Sequence, residues 1–131
     1  MKKLFRLCVG TLSLVALLVV ILTSGVLAQD NTIEVVVSPN VLNLRSNGGS
    51  VSLHTDIRYA LVLDAKLYVE DQLVERISTF ADDRGDLVVK CNLDTVKGMV
   101  AVGEATFVLE VETQNGLYSG TDTIRVIARG K

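Results

Sequence analysis

Short runs in which every second residue is apolar, broken by turn residues, fill the chain from Ile33 onward. Successive strand side chains point to opposite faces, so this period of two marks ribbons with one dry face and one wet face. The clearest run is Val51, Leu53, Thr55 and Ile57 alternating with Ser52, His54, Asp56 and Arg58. Ile33, Val35 and Val37 form an earlier one, stopped by Ser38-Pro39-Asn40, and Val41 to Leu44 is a short extended piece with Leu42 and Leu44 in phase. Ser46-Asn47-Gly48-Gly49 turns the chain. Lys66 to Val69 and Leu73 to Phe80 predict a hairpin around Glu70-Asp71-Gln72. A turn at Ala81 to Asp86 leads into Leu87 to Leu93, where Cys91 alternates in phase with Leu87, Val89 and Leu93.

Asp94 to Val100 is the one segment with helical spacing: Asp94 can cap it, and Val96, Met99 and Val100 stand at i, i+3 and i+4. After Gly103, residues Ala105, Phe107, Leu109 and Val111 face one way. Asn115-Gly116 then predicts a type I′ hairpin turn, since both residues tolerate positive φ. Ile124, Val126 and Ala128 are in phase along the last strand. Phe107 is assigned to the core, and Phe80 is a second candidate for it. This spacing, without a long helix, predicts an all-β, two-sheet antiparallel sandwich of about seven strands.

Residues 1–28 have a different grammar. Met1-Lys2-Lys3 and Arg6 make a basic start, Leu7 to Leu22 is nearly all apolar, and Thr23-Ser24-Gly25 precedes Val26-Leu27-Ala28. That is a secretory signal, an N-terminal signal helix with cleavage expected between Ala28 and Gln29. An uncleaved membrane anchor is the rival reading, because the uncharged stretch from Leu7 to Ala28 is long enough to span a bilayer. Either way residues 29–131 are exported, to a secreted, periplasmic or cell-surface location. Of the 13 Lys and Arg, three precede the cut, so ten basic residues face all 15 acidic ones, a net charge of −5. Such a balance disfavours nucleic acid and electrostatic docking on anionic lipid, leaving residues 1–28 as the only membrane contact. Cys91 is then the one remaining cysteine, so no intramolecular disulfide forms, and its phase places it in the core.

Few residues carry candidate chemistry. His54 is the single histidine and would be the base of any small hydrolase, with Asp56 on the same strand face to orient it; no nucleophile motif accompanies them. One His and one buried Cys cannot make a zinc site. Asp82, Asp83 and Asp86 crowd a turn around Gly85, and oxygen ligands on such a loop are what calcium takes, though the spacing is not that of an EF-type loop. Arg84-Gly85-Asp86 spells a tripeptide that integrins read, yet turn chemistry alone explains its Gly and Asp. Tyr59, Tyr68 and Tyr118 are the aromatics on which a sugar could stack, and they are scattered.

Four stretches resemble a β-sandwich module of immunoglobulin or fibronectin type found in secreted bacterial and archaeal proteins. Val37 to Gly48 is similar to its opening motif, a proline turn followed by x-Leu-Asn-Leu-x-Ser-x-Gly, and Asp82 to Lys90 to its acidic turn and next strand. Gly103 to Leu109 and Gly120 to Val126 resemble its last strands. In related sequences the acidic turn reads more like half of a calcium loop; here Arg84 interrupts it. The resemblance implies an extracellular sandwich, alone or beside other surface modules, and transfers no catalytic residue. The expectation is therefore a non-enzymatic module, without a cofactor, that binds an extracellular or envelope protein or builds cell-surface structure. A calcium-dependent or glycan-binding adhesin is the alternative, and a hydrolase using His54 the remote one.

Overall fold

The computed structural model describes residues 31–130, and the signal segment 1–28 lies outside them. Nine strands form two sheets among the described residues. In the first, β1 (Val35–Ser38) pairs with β3 (Ser50–Arg58), β3 with β7 (Asp86–Asn92), and β7 with β6 (Ser78–Ala81), all antiparallel. In the second the order is β2 (Val41–Asn43), β9 (Gly116–Ile127), β8 (Gly103–Thr113), β4 (Val62–Val69) and β5 (Gln72–Leu73). One short helix, α1 (Leu93–Lys97), follows β7.

The expected all-β sandwich is the observed architecture, and alternation explains it. Val51, Leu53, Ile57, Leu87, Val89 and Cys91 from one sheet join Leu67, Val69, Phe107, Leu109, Val111, Ile124 and Val126 from the other in a single buried cluster. Removing a side chain the size of Leu from water stabilises the fold by about 1.5–3 kcal/mol, so this layer is the main source of stability. Thr55 is also buried on that face. Its Oγ donates to the Leu87 carbonyl at 2.8 Å, at the place where the β3–β7 register shifts between His54 and Arg58. The hydroxyl satisfies a buried acceptor where the ladder is interrupted.

Several local expectations change. The predicted strand from Leu73 to Phe80 is two strands: β5 ends at Leu73 in one sheet and β6 begins at Ser78 in the other. Phe80 consequently lies on a sheet edge, 43% exposed, and not in the core. Val88, on the outward face, is buried, lying between His54 and Phe80 in the cross-strand register. The β2–β9 pair is parallel, because β1 and β2 follow one another across the cis Ser38-Pro39 peptide and change sheet without reversing direction.

The β8–β9 hairpin forms, but Gly116 already pairs with Thr113, so Gln114 and Asn115 make the turn and only Gly116 has positive φ. The left-handed pair is instead Glu70 and Asp71, at φ 49° and 65°, between the paired Val69 and Gln72. Glu70 is anchored there by Thr106, whose N–H donates to Glu70 Oε1 at 3.0 Å and whose carbonyl accepts from the Glu70 N–H at 3.0 Å. Asn92, two residues ahead of the expected Asp94, caps α1 by accepting from the Asp94 N–H at 2.9 Å. Ala128 falls beyond β9 and is exposed.

The segment leading into β1 is clamped on β9. Ile33 N–H donates to Ser119 O at 2.9 Å, and Ser119 N–H to Asn31 O at 3.0 Å. The contact is possible because residue 120 is glycine: a Cβ there would meet the Ile33 carbonyl at 2.6 Å and collide with Val35 Cγ2. Gly120→Ala is expected to cost about 1–3 kcal/mol by overpacking. A thermal melt should show Tm lower by roughly 5–20 °C.

Candidate functional site

Three connections meet at one end of the sandwich. Between β3 and β4 the chain makes a 3-10 turn, Tyr59–Leu61. The turn between β6 and β7 touches it: Tyr59 N–H donates to Gly85 O at 3.0 Å, and Arg58 Nη1 to Arg84 O at 3.0 Å. A cleft of about 100 Å³ between Ala60, Leu61, Leu63 and Thr113, Gln114, Asn115 brings in the β8–β9 hairpin.

This end is unusually apolar for a surface. Tyr59 is 39% exposed, Leu61 50% and Leu63 60%. Leu117, paired with Glu112 at the start of β9, is 53% exposed. A bulge explains Leu63. Val62 pairs with Thr113 and Asp64 with Glu112, so Leu63 is an extra residue with no opposite number, and the bulge aims it outward. The strand boundaries read from alternation stop at Arg58 and resume at Lys66, whereas β4 begins at Val62. The signal available in the sequence is the unalternating apolar run Tyr59-Ala60-Leu61-Val62-Leu63, flanked by Arg58 and Asp64.

The acidic turn is held by its own residues. Asp82 Oδ1 accepts from the Arg84 N–H at 2.8 Å and from the Asp86 N–H at 3.0 Å. The Arg84 guanidinium lies 3.7 Å from a carboxylate oxygen of Asp82 and 3.7 Å from one of Asp86, so it sits between the two acids. Gly85 takes φ 86°, and a Cβ on it would press Arg58 Nη1 at 3.1 Å. Arg84 of the Arg-Gly-Asp tripeptide thus folds back on Asp86 of the same tripeptide. Asp83 is exposed beside them. Among the described residues no group of three or more His, Cys, Asp or Glu is placed to hold a metal ion.

The other sequence candidates lie apart. His54 stands on the outward face of β3 in a cross-strand row with Val36 and Val88, while Asp56 Oδ1 accepts from the Glu34 N–H at 2.9 Å. Cys91 is on the inward face, where burial pushes its thiol up to about 11. Of the three tyrosines, Tyr59 is at the apolar end, Tyr68 faces outward between Leu73 and Val108, and Tyr118 packs against the core. They share no platform. Among the described residues no helix is long and apolar enough to cross a membrane.

No family model matches the chain, and no curated protein sequence matches it. Among solved structures, an endo-β-1,4-mannanase from Thermotoga petrophila superimposes with a TM-score of 0.51 at 17% identity, over 78% of this chain and 21% of that one. At that identity the likeness is one of fold. The chain spans about a fifth of the mannanase's length.

Two measurements check this geometry. The hydrogen bond from the Asp86 N–H, with those from Arg84 and its charge, holds the Asp82 carboxyl below its ordinary value of 3.8. A lowered folded-state pKa contributes stability above the ordinary value, lost as pH falls through the lowered one. Asp82→Asn should therefore lower Tm at neutral pH, and the difference from the parent should narrow as pH falls below 3.8. In the chain beginning at Gln29, Cys91 should resist a thiol reagent at neutral pH and label fully in denaturant, since the thiolate is the reactive form.

Proposed function

We propose that the chain is an exported, non-catalytic β-sandwich module of immunoglobulin or fibronectin type that binds another extracellular or envelope protein. The contact surface in this reading is the end bearing Tyr59, Leu61, Leu63 and Leu117. The observation that carries it is the grouping of these exposed apolar side chains at one end, Tyr59 and Leu61 on the connecting turn, Leu63 on the bulge of β4 and Leu117 at the start of β9. Contiguous apolar surface on a small domain commonly marks an interaction site. Asp64 follows Leu63, and Glu112 stands between Asp64 and Leu117 in the register, so charged groups adjoin the apolar ones.

The module type has its own support. The order β1-β3-β7-β6 opposite β9-β8-β4 follows the ABED and GFC sheets of immunoglobulin-type sandwiches, with β2 and β5 as short additions. Export rests on the character of residues 1–28. The mannanase likeness involves a fifth of that chain, which suits a module and carries no hydrolase residues to this one.

Capture from native envelope extracts with residues 29–131 tests the reading. Leu61→Ser with Leu63→Ser should reduce recovery of a specific protein about tenfold or more, because apolar anchors dominate interface energy. Tm should fall only slightly, since both side chains are exposed. Equal recovery of the same protein by the double variant would refute the assignment of the apolar end.

A further inference from the structure

The edges of the two sheets are not alike. β2 and β5 are three and two residues long. On β1 the outward N–H of Val37 is capped by Asp122 Oδ2, 2.8 Å away. β6 is the exception: four residues, Ser78-Thr79-Phe80-Ala81, all exposed and lacking charge, proline or a bulge. Those are the devices that normally protect an edge.

The ladder shows which groups are open. The Asp82 N–H bonds the Asp86 carbonyl at 2.9 Å, and in the same register Phe80 opposes Val88 and Ser78 opposes Lys90. Even-numbered residues of β6 therefore bond to β7, and Thr79 and Ala81 turn their N–H and C=O groups outward.

At the start of this edge the β6–β7 ladder stops at Ser78–Lys90 while β7 runs on to Asn92. A shallow cleft of about 410 Å³ opens there, lined by Arg76, Ser78 and Lys90 with Ser50 and Asn92. Among the described residues Arg76 and Lys90 form no ion pair, although Arg84 and Lys97 do. Two uncompensated cations thus line one cleft of a chain whose exported part is net acidic. The hydroxyl, amide and cationic groups of this lining match a carboxylate.

We propose that β6 and this cleft form a docking groove for an extended acidic peptide of a partner protein. The peptide adds as a fifth strand beside β6, bonding to the outward groups of Thr79 and Ala81. A carboxylate side chain on it lies between Arg76 and Lys90, and two or four residues along, on the same face, an apolar one lies against Phe80. This surface is distinct from the apolar end, so the two readings stand or fall separately.

The probe is a short fluorescent peptide repeating Glu-Thr-Val-Thr, which puts glutamate and valine on one face two residues apart, titrated by anisotropy into residues 29–131 at low salt. The same peptide with lysine in place of glutamate, and polygalacturonate, serve as controls. The glutamate peptide should bind, weaken as salt is raised, and lose about tenfold in affinity with Arg76→Glu and Lys90→Glu. Thr79→Pro removes an outward N–H without touching the β6–β7 ladder, so it should abolish binding at nearly unchanged Tm. Leu61→Ser with Leu63→Ser should leave this binding unaltered. No binding, equal binding of the lysine peptide, or full binding by Thr79→Pro would overturn the proposal. Tighter binding of polygalacturonate would assign the cleft to an acidic glycan. A dimer of the protein that Thr79→Pro dissolves would assign the edge to a second copy. Either result overturns the peptide reading.

Discussion

The strands β3, β7, β4, β8 and β9 meet in one apolar layer, and the strict alternation that builds it ties every register to every other. A slip of one residue in β8 would turn Phe107, Leu109 and Val111 to water and bring Thr106, Val108 and Glu110 inside. The layer therefore selects one pairing of the long strands, and the connections must accommodate that pairing. Thr55 shows how closely this is met: it occupies an inward position with a hydroxyl, and that hydroxyl completes the carbonyl exposed by the adjacent irregularity. Gly120 shows the same demand at the margin, where only a residue without a side chain lets the 31–35 segment lie against β9.

Register irregularities fall at the end proposed to bind a partner. β3 changes register between His54 and Arg58, and β4 between Val62 and Asp64, on either side of the Tyr59–Leu61 turn. A bulge breaks the link between a residue's place in the alternation and the face it occupies. Leu63 can thus be large and apolar without belonging to the core, and the surface at this end can be chosen independently of the layer beneath it. The opposite edge of the first sheet achieves accessibility differently, by leaving the backbone of β6 uncovered.

What was legible in the sequence follows the same division. The inward faces of β3, β8 and β9 read directly from their period of two, and the sandwich follows from their number and spacing. The passage from β5 to β6 did not: Leu73 to Phe80 has strand-like composition throughout, and nothing local says that the chain leaves one sheet for the other between Leu73 and Ser78. The turn at Glu70-Asp71 is where the flanking runs put it, but its left-handed geometry was not legible, since it is held by Thr106 on a distant strand and not by turn-prone residues alone. At the apolar end, Tyr59 to Leu63 shows no alternation, so periodicity had no means of separating a bulged strand from buried core. The titratable candidates were visible as residue types; their surroundings, such as Arg84 lying between Asp82 and Asp86, come only from the fold.

The unequal edges have a consequence for assembly. A sandwich with two open edges can pass strand pairing from one molecule to the next and grow without limit, as fibres do. Here the outward Val37 N–H of β1 is capped by Asp122 and β2 and β5 are too short to template much, so among the described residues β6 is the most open edge. When two such domains pair through β6, each uses up its open edge, so the contact closes at a pair. Edge contact between such domains at high concentration would therefore stop at pairs and not extend into a sheet.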